Sequence, residues 1–207
     1  FEMYSIVSKV VGAVPKKIKE DVNFNLNIEN LIDQTNDATK VIYIASPNNP
    51  TGTYLSRDQL VKLMNSISKN IIVVIDGAYV EYVQKDDYDK GFSLTDEYEN
   101  IILTRTFSKT YGLAALRVGW CYTSQKIADI INKIKPPFNT TTISQSLAIK
   151  ALEDKEHIEN SVKLNSEIKD WFEKELKLLN IKTRQTEGNF TLIETSEEEA
   201  EKIKEVP

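Results

Sequence analysis

Along most of the chain, short runs of apolar residues alternate with segments in which apolar side chains recur every three or four positions. The apolar runs have the length of buried strands and lie at 41–45, 71–75, 101–105 and 118–123. The helical spacing predicts amphipathic helices at 3–11, 28–33, 57–67 and 125–135. Buried strands that alternate with such helices are typical of a mostly parallel sheet flanked by helices. The predicted fold class is therefore α/β.

The pattern changes after residue 135, where Pro136 and Pro137 interrupt the alternation. Helical periodicity resumes over 144–153, and a longer helix follows. Six apolar side chains are predicted to form the inner face of that helix, namely Leu164, Ile168, Trp171, Phe172, Leu176 and Leu179. Two short strands are predicted beyond it, at 181–186 and 190–194.

These later elements form a second unit. We place its boundary near Asp154, with a large domain over 1–153 and part of a smaller α+β domain over 154–207. A length of 207 residues is enough for one sizeable domain and part of another. The chain lacks an initiating Met, and a helix has only just begun near residue 197. We therefore expect an internal piece of a longer protein.

The composition narrows the classes of partner. The net charge is −5 and the isoelectric point is about 5.1, which argues against a nucleic acid as the main partner. No apolar run is long enough to span a membrane, and no basic-then-apolar signal opens the chain. We expect a cytoplasmic protein. The single cysteine, Cys121, cannot form an internal disulfide and is predicted at a buried strand position.

Polar side chains follow three of the predicted strands, at the point where each strand ends. Asn49 follows the first strand, Asp76 ends the second, and Lys109 follows the third. Parallel strands bring their carboxyl ends to one edge of the sheet, where open α/β proteins bind their ligands. We therefore expect these three side chains to lie close together.

The stretch around Lys109 combines a phosphate site with a reactive amine. Thr106 and Ser108 supply hydroxyls and Arg117 supplies a guanidinium, and both kinds of group donate hydrogen bonds to phosphate oxygens. A lysine at the end of a buried strand and beside another cation loses its proton more readily than one in water. Such an amine can bond to an aldehyde. The sequence thus predicts a pyridoxal-phosphate site.

The other strand ends offer the remaining groups that this cofactor requires. A carboxylate keeps the ring nitrogen protonated, and Asp76 is predicted for that role. Asn49 and Tyr79 can each donate to the phenolic oxygen. In this hypothesis Lys109, Asp76 and Tyr79 are the catalytic residues, and Lys109 also moves a proton while an amino group passes from an amino to a keto substrate. No metal ligand is predicted.

Four motifs resemble, in order and spacing, those of the fold-type-I pyridoxal-phosphate aminotransferases. They are Asn-Asn-Pro-Thr-Gly at 48–52, Asp-Gly-Ala-Tyr at 76–79, Thr-Phe-Ser-Lys at 106–109, and Arg117. Within that family, the chain is most similar to the histidinol-phosphate aminotransferases. The stretches that carry this second likeness are 1–4, 111–119, 135–139 and 188–190.

The resemblance implies a large cofactor-binding domain and a role for each matching residue. The implied cofactor-binding residues are Asn49, Asp76, Tyr79, Thr106, Ser108, Lys109, Arg117 and Phe1, the last as the aromatic side chain that stacks on the cofactor ring. It also implies a homodimer that transfers an amino group between histidinol phosphate and 2-oxoglutarate in histidine biosynthesis.

Three positions depart from the family pattern: Gly77 stands for a usual Glu, Ala115 for a frequent Gly, and Trp120 for a frequent Tyr. The Gly-rich turn that precedes these motifs in the family, and the arginine that follows them, lie outside the chain.

Three other interpretations remain open from the sequence. The first is a decarboxylase of amino-acid phosphates that uses the same cofactor and fold. The second is a non-catalytic remnant that folds without turnover. The third, a nucleotide-binding α/β domain, lacks support because the chain contains neither a Gly-x-Gly-x-x-Gly nor a Walker loop.

Overall fold

The computed structural model describes residues 2–204. Its helices are Met3–Val10 (α1), Ile28–Asp33 (α2), Arg57–Ser66 (α3), Phe92–Glu97 (α4), Gln125–Ile134 (α5), Thr142–Glu153 (α6), Lys155–Leu178 (α7) and Glu197–Lys204 (α8). Its strands are Val41–Ala45 (β1), Ile72–Asp76 (β2), Ile101–Thr106 (β3), Gly119–Thr123 (β4), Lys182–Arg184 (β5) and Leu192–Glu194 (β6). Short 3₁₀ turns lie at Val80–Tyr82 and Ala114–Leu116.

The larger sheet has the strand order β1-β2-β3-β4. The first three strands are parallel, and β4 runs antiparallel to β3. Ala45 pairs with Asp76, and Asp76 pairs with Thr104, so β1 and β2 end level with each other and β3 continues for two more residues at the same edge. The predicted α/β class with a mostly parallel sheet is confirmed.

One face of this sheet carries the core. Every second residue of β2 and β3 is buried, and Leu60 and Leu63 of α3 join the same cluster. Each fully buried side chain of this kind contributes about 1.5–3 kcal/mol. Ser56 and Gln59 form a reciprocal capping box at the start of α3, which satisfies backbone N–H groups that the helix leaves unpaired. The helix predicted from residue 57 therefore begins directly after this cap.

The other face of the sheet carries Tyr43 of β1, which is 40% exposed. Helix α1 meets this face through Tyr4, whose ring stacks on that of Tyr43. The contact joins the start of the chain to the sheet.

Two sequence predictions fail near the sheet's last strand. No helix or strand was predicted within 84–98, but this stretch contains α4, whose Leu94 is fully buried. A six-residue helix with one buried position is too short to show a helical period. Cys121 was predicted to be buried, but it is exposed on β4, because β4 lies at the edge of the sheet.

Helix α7 is present, but its predicted inner face is mostly wrong. Of the six side chains predicted there, Leu176 is buried, whereas Trp171 is 59% exposed. Periodicity identifies an apolar stripe, but it cannot tell whether another element packs against that stripe. Strands β5 and β6 form a separate antiparallel pair. The Asp154 side chain accepts a hydrogen bond from the His157 amide and so caps α7. The domain boundary between residues 153 and 154 stays a prediction.

Within residues 2–204, no helix has the length and apolar character needed to cross a membrane.

Candidate active site

The polar residues predicted at the strand ends gather at one edge of the sheet. Asp76 is the last residue of β2, and its carbonyl accepts a hydrogen bond from the Ser46 amide at 2.9 Å, where the turn after β1 begins. That turn carries Asn49, whose Nδ2 donates to the Tyr79 hydroxyl at 2.8 Å. Lys109 Nζ lies 5.2 Å from the centre of the Tyr79 ring. The structure thus brings together Asn49, Tyr79 and Lys109.

Tyr79 is the buried centre of this group, with 5% of its surface exposed. Phe190, which precedes β6, packs edge-on against it with ring centres 5.2 Å apart. The ring is therefore held from one side, while its hydroxyl is held by Asn49. A side chain fixed in this way can present its hydroxyl to a ligand without losing rotamer freedom on binding.

Asp76 has a partner that the sequence did not assign. The Tyr4 hydroxyl donates to Asp76 Oδ2 at 2.6 Å. Burial, followed by this hydrogen bond, raises the pKa of Tyr4 above its ordinary value, so the phenol stays a donor at neutral pH. The sequence signal was present, because Tyr4 belongs to the 1–4 motif, but nothing in the spacing linked it to a carboxylate 72 positions away.

The predicted phosphate-binding residues lie at the end of β3 and on its connection to β4. Thr106 is the last residue of β3, and its Oγ1 accepts a hydrogen bond from the Ser108 amide at 3.0 Å. The Phe107 amide donates to the Val118 carbonyl at 3.3 Å and closes the loop that follows. Arg117 is exposed in a left-handed conformation, and its Nη1 donates to the Ala114 carbonyl at 2.7 Å. The end of β3 and the hairpin loop after it therefore carry both hydroxyls and the guanidinium.

The burial predicted for Lys109 is not found. Its side chain is exposed, because the residue lies in the loop beyond β3 rather than within the strand. Phe1 lies outside the described residues.

Arg105 of β3 is a buried cation with two aromatic neighbours. Its guanidinium lies 5.7 Å from the centre of the Phe92 ring and 5.9 Å from that of Trp120. Burial lowers the pKa of Arg105, whereas the nearby charges of Tyr88, Glu81 and Asp76 act in the opposite direction. Burial also raises the pKa of Glu81.

Two of the unusual positions, Gly77 and Trp120, adjoin this guanidinium. A Cβ at Gly77 would lie 2.8 Å from Arg105 Cζ. The absence of a side chain at 77 therefore leaves the space that Arg105 fills, with Trp120 as its aromatic neighbour.

The segment at 186–190 docks on the turn that carries Asn49. The Glu187 amide donates to the Gly52 carbonyl at 2.9 Å. Lys169 of α7 donates to the carbonyls of Thr186 and Gly188, and burial lowers the pKa of this lysine. This segment includes the family-like stretch at 188–190, whose spacing predicts no contact with the site. Its two contacts, with the 46–52 turn and with Tyr79, hold two site residues in place.

The one histidine of the chain is exposed on α7 and contacts the loop that carries Lys109. His157 Nε2 lies 3.1 Å from the Thr110 carbonyl, and so links α7 to the residue that follows Lys109.

A match to a protein-family model assigns this chain to a family. The model described as aminotransferase class I and II matches residues 1–206. The chain belongs to that family.

Relatives and solved structures agree with this assignment. The histidinol-phosphate aminotransferase of Pelagibacter ubique is 43% identical over 193 residues, which are 93% of this chain and 53% of that protein. The enzyme of the same name from Zymomonas mobilis is 40% identical over 196 residues, with the same two shares. The chain therefore spans about half the length of the curated relatives it matches.

Two solved structures share the fold. That of a histidinol-phosphate aminotransferase from Sinorhizobium meliloti, in complex with pyridoxal 5'-phosphate, has a TM-score of 0.86 at 23% identity and covers 92% of this chain and 52% of its own. An aspartate aminotransferase from Thermotoga maritima has a TM-score of 0.84 at 26% identity and covers 94% and 53%. Because enzymes named for different substrates share the fold equally well, the fold does not select the substrate.

The donor set at this edge of the sheet fits the cofactor implied by an aminotransferase family. A carboxylate suits a protonated ring nitrogen, an exposed lysine suits an aldehyde, and hydroxyls with a guanidinium suit a phosphate. Within residues 2–204 no group of three or more His, Cys, Asp or Glu side chains is arranged to hold a metal ion.

Proposed function

We propose that this protein is a pyridoxal-phosphate-dependent aminotransferase that uses histidinol phosphate and 2-oxoglutarate in histidine biosynthesis. The observation that carries the proposal is the meeting of Asn49, Tyr79 and Lys109 beside the end of β2, where Asp76 lies. The names of the relatives at 43% and 40% identity support the choice of substrate.

Pyridoxal phosphate, when bound, supplies an aldehyde that bonds amines and a ring that accepts electrons. In this proposal Asp76 holds a proton on the ring nitrogen through its carboxylate. Tyr79 and Asn49 orient the phenolic oxygen, and their mutual hydrogen bond of 2.8 Å keeps the two groups together.

Lys109 has two roles. Its Nζ would hold the cofactor through the aldehyde, and its amine would take a proton from the α-carbon of the amino substrate and return one during transfer. Its exposure is compatible with this work, because the amine must reach both the cofactor and the substrate.

Three groups are proposed for the cofactor phosphate: the hydroxyls of Thr106 and Ser108, and the guanidinium of Arg117. Arg117 donates to the Ala114 carbonyl through Nη1, and a planar guanidinium has further N–H groups for an anion. Phe1 is proposed, by family resemblance, to stack on the cofactor ring.

A titration with pyridoxal phosphate tests the proposal. The parent chain should develop a visible absorption band, and Lys109→Ala should lack it. Lys126→Ala, on an exposed turn of α5, is the matched control and should retain the band. A parent chain that shows no lysine-dependent band would refute the proposed site.

Adding histidinol phosphate to the loaded chain then tests the substrate. Transamination should collapse the band and release a keto product, and 2-oxoglutarate should restore it. Release of carbon dioxide from an amino-acid phosphate would instead favour the decarboxylase interpretation, and a stable band with every substrate would favour the non-catalytic remnant. Because the chain belongs to the aminotransferase class I and II family, we no longer retain the nucleotide-binding interpretation.

A homodimer, a cytoplasmic location and independence from nucleic acid and membrane remain predictions. Sedimentation of the chain over a range of concentrations tests the first of them.

A further inference from the structure

Tyr4 contacts the proposed site but has no role in the set of residues assigned above. Its hydroxyl donates to Asp76 Oδ2 at 2.6 Å, a distance typical of a charge-assisted bond between a hydroxyl and a carboxylate. The two residues come from distant parts of the chain, since Tyr4 lies on α1 and Asp76 ends β2.

The position of the Tyr4 hydroxyl is set by aromatic packing. The ring of Tyr4 lies parallel to that of Tyr43, with an angle of 10° between the planes and 5.0 Å between the centres. Tyr43 belongs to β1, which is hydrogen-bonded to β2 along its length. A phenol stacked on the neighbouring strand is therefore aimed at the carboxylate that ends the next one.

We propose that Tyr4 is a positioning residue for Asp76, and that its hydroxyl holds the carboxylate in its anionic form and in the orientation that faces the cofactor. This inference rests on the proposed function. Because the hydroxyl occupies Oδ2, the carboxylate has Oδ1 to offer to a protonated ring nitrogen.

The hydrogen bond also decides where a shared proton resides. When a ring nitrogen and a carboxylate compete for one proton, a hydrogen bond donated to the carboxylate stabilises the anion and leaves the proton on the nitrogen. Without the hydroxyl, the proton shifts toward Asp76, and the ring becomes a weaker electron acceptor. Among the described residues, Tyr43 of β1 and Arg105 of β3 are titratable or charged groups that act on this pair.

The experiment compares Tyr4→Phe with the parent, because phenylalanine keeps the stacked ring and removes the hydroxyl. Tyr54→Phe is the matched control: the Tyr54 hydroxyl donates to Asp87 at 2.7 Å, its ring packs edge-on against Tyr88, and neither partner belongs to the site. Both variants therefore lose one tyrosine–aspartate hydrogen bond.

Two readouts are measured on each protein: the dissociation constant for pyridoxal phosphate, and the ¹⁵N chemical shift of the ring-labelled cofactor across a pH series. Only part of the strength of this hydrogen bond enters the affinity for the cofactor, because the bond is also present in the chain without cofactor. Tyr4→Phe should therefore weaken cofactor binding by about three- to tenfold. Its ring nitrogen should also lose its proton at a lower pH than in the parent and in Tyr54→Phe.

The outcomes separate the inference from the proposed function. A parent chain that binds no cofactor at Lys109 would refute the proposed function itself. A parent that binds, with Tyr4→Phe unchanged in both the affinity and the ¹⁵N titration, would refute the role of Tyr4. If Tyr4→Phe weakened binding but left the ¹⁵N titration unchanged, the hydroxyl would be a packing contact only, and the inference would also fail.

Discussion

A methyl group added at Gly52 has no room in the turn that carries Asn49. Gly52 has a φ of +70°, and a Cβ built there would overlap the Cα and Cβ of Thr186 and lie 2.6 Å from its Cγ2. Thr186 is 1% exposed, and one of the overlapping atoms is backbone, so a side-chain rotation cannot relieve the clash. The segment at 186–190 must therefore move away from the turn.

Two costs add in Gly52→Ala. The left-handed backbone costs about 1–2 kcal/mol for a residue with a Cβ. Forcing a methyl group into a filled space costs about 1–3 kcal/mol more. We expect the free energy of unfolding to fall by about 2–5 kcal/mol, and cofactor affinity to fall as well, since the displaced segment holds both the turn of Asn49 and the ring of Tyr79.

Gly12→Ala isolates the first cost. Gly12 has a φ of +78° and nothing within 4 Å of a built Cβ, so only the backbone term applies there. Urea unfolding of the parent and both variants gives the comparison, together with a pyridoxal-phosphate titration of each. If Gly52→Ala is no more destabilising than Gly12→Ala, the close approach of Thr186 does not hold this turn, and the reasoning is wrong.

Two further predictions concern groups around the site. Lys169→Met should lower the free energy of unfolding by about 1–3 kcal/mol, because the carbonyls of Thr186 and Gly188 lose their donor. The control is Lys163→Met at an exposed position, which should change the free energy of unfolding in urea by less than about 0.5 kcal/mol. Equal effects of the two substitutions would contradict the role of Lys169. Burial raises the pKa of Glu81 above its ordinary 4.5, so the unfolded chain releases this proton first and stability falls as the pH rises through that range. Glu81→Gln should flatten this fall in unfolding measured from about pH 4 to about pH 7, and an unchanged slope would assign the fall to other groups.

The sequence alone determined the sheet and the residues at its ends. Burial of a continuous apolar run is strongly favourable, because it removes a large apolar surface from water. Runs of this length therefore predict buried strands, and three of them precede Asn49, Asp76 and Lys109. The rule that parallel strands share a carboxyl edge then brought those residues to one place. The capping box at Ser56 was equally readable, since it depends on two residues three apart.

Exposure could not be read in the same way. Lys109, Cys121 and Trp171 were all predicted to be buried and are exposed. In each case the local pattern reports the polarity of a side chain and its neighbours, whereas burial depends on whether another element lies against it. Leu94 shows the opposite error, because one buried position within a charged segment leaves no periodic signal.

What only the tertiary structure decided is the set of contacts that hold the site residues in place. Tyr4 meets Asp76 across 72 positions of sequence, and Phe190 meets Tyr79 from the loop between β5 and β6. Sequence spacing carries information only along one strand or one helix, where geometry repeats with a fixed period. Contacts between elements depend on how whole elements pack. Local motifs therefore pointed to the candidate site residues, whereas the fold decided how those residues are oriented.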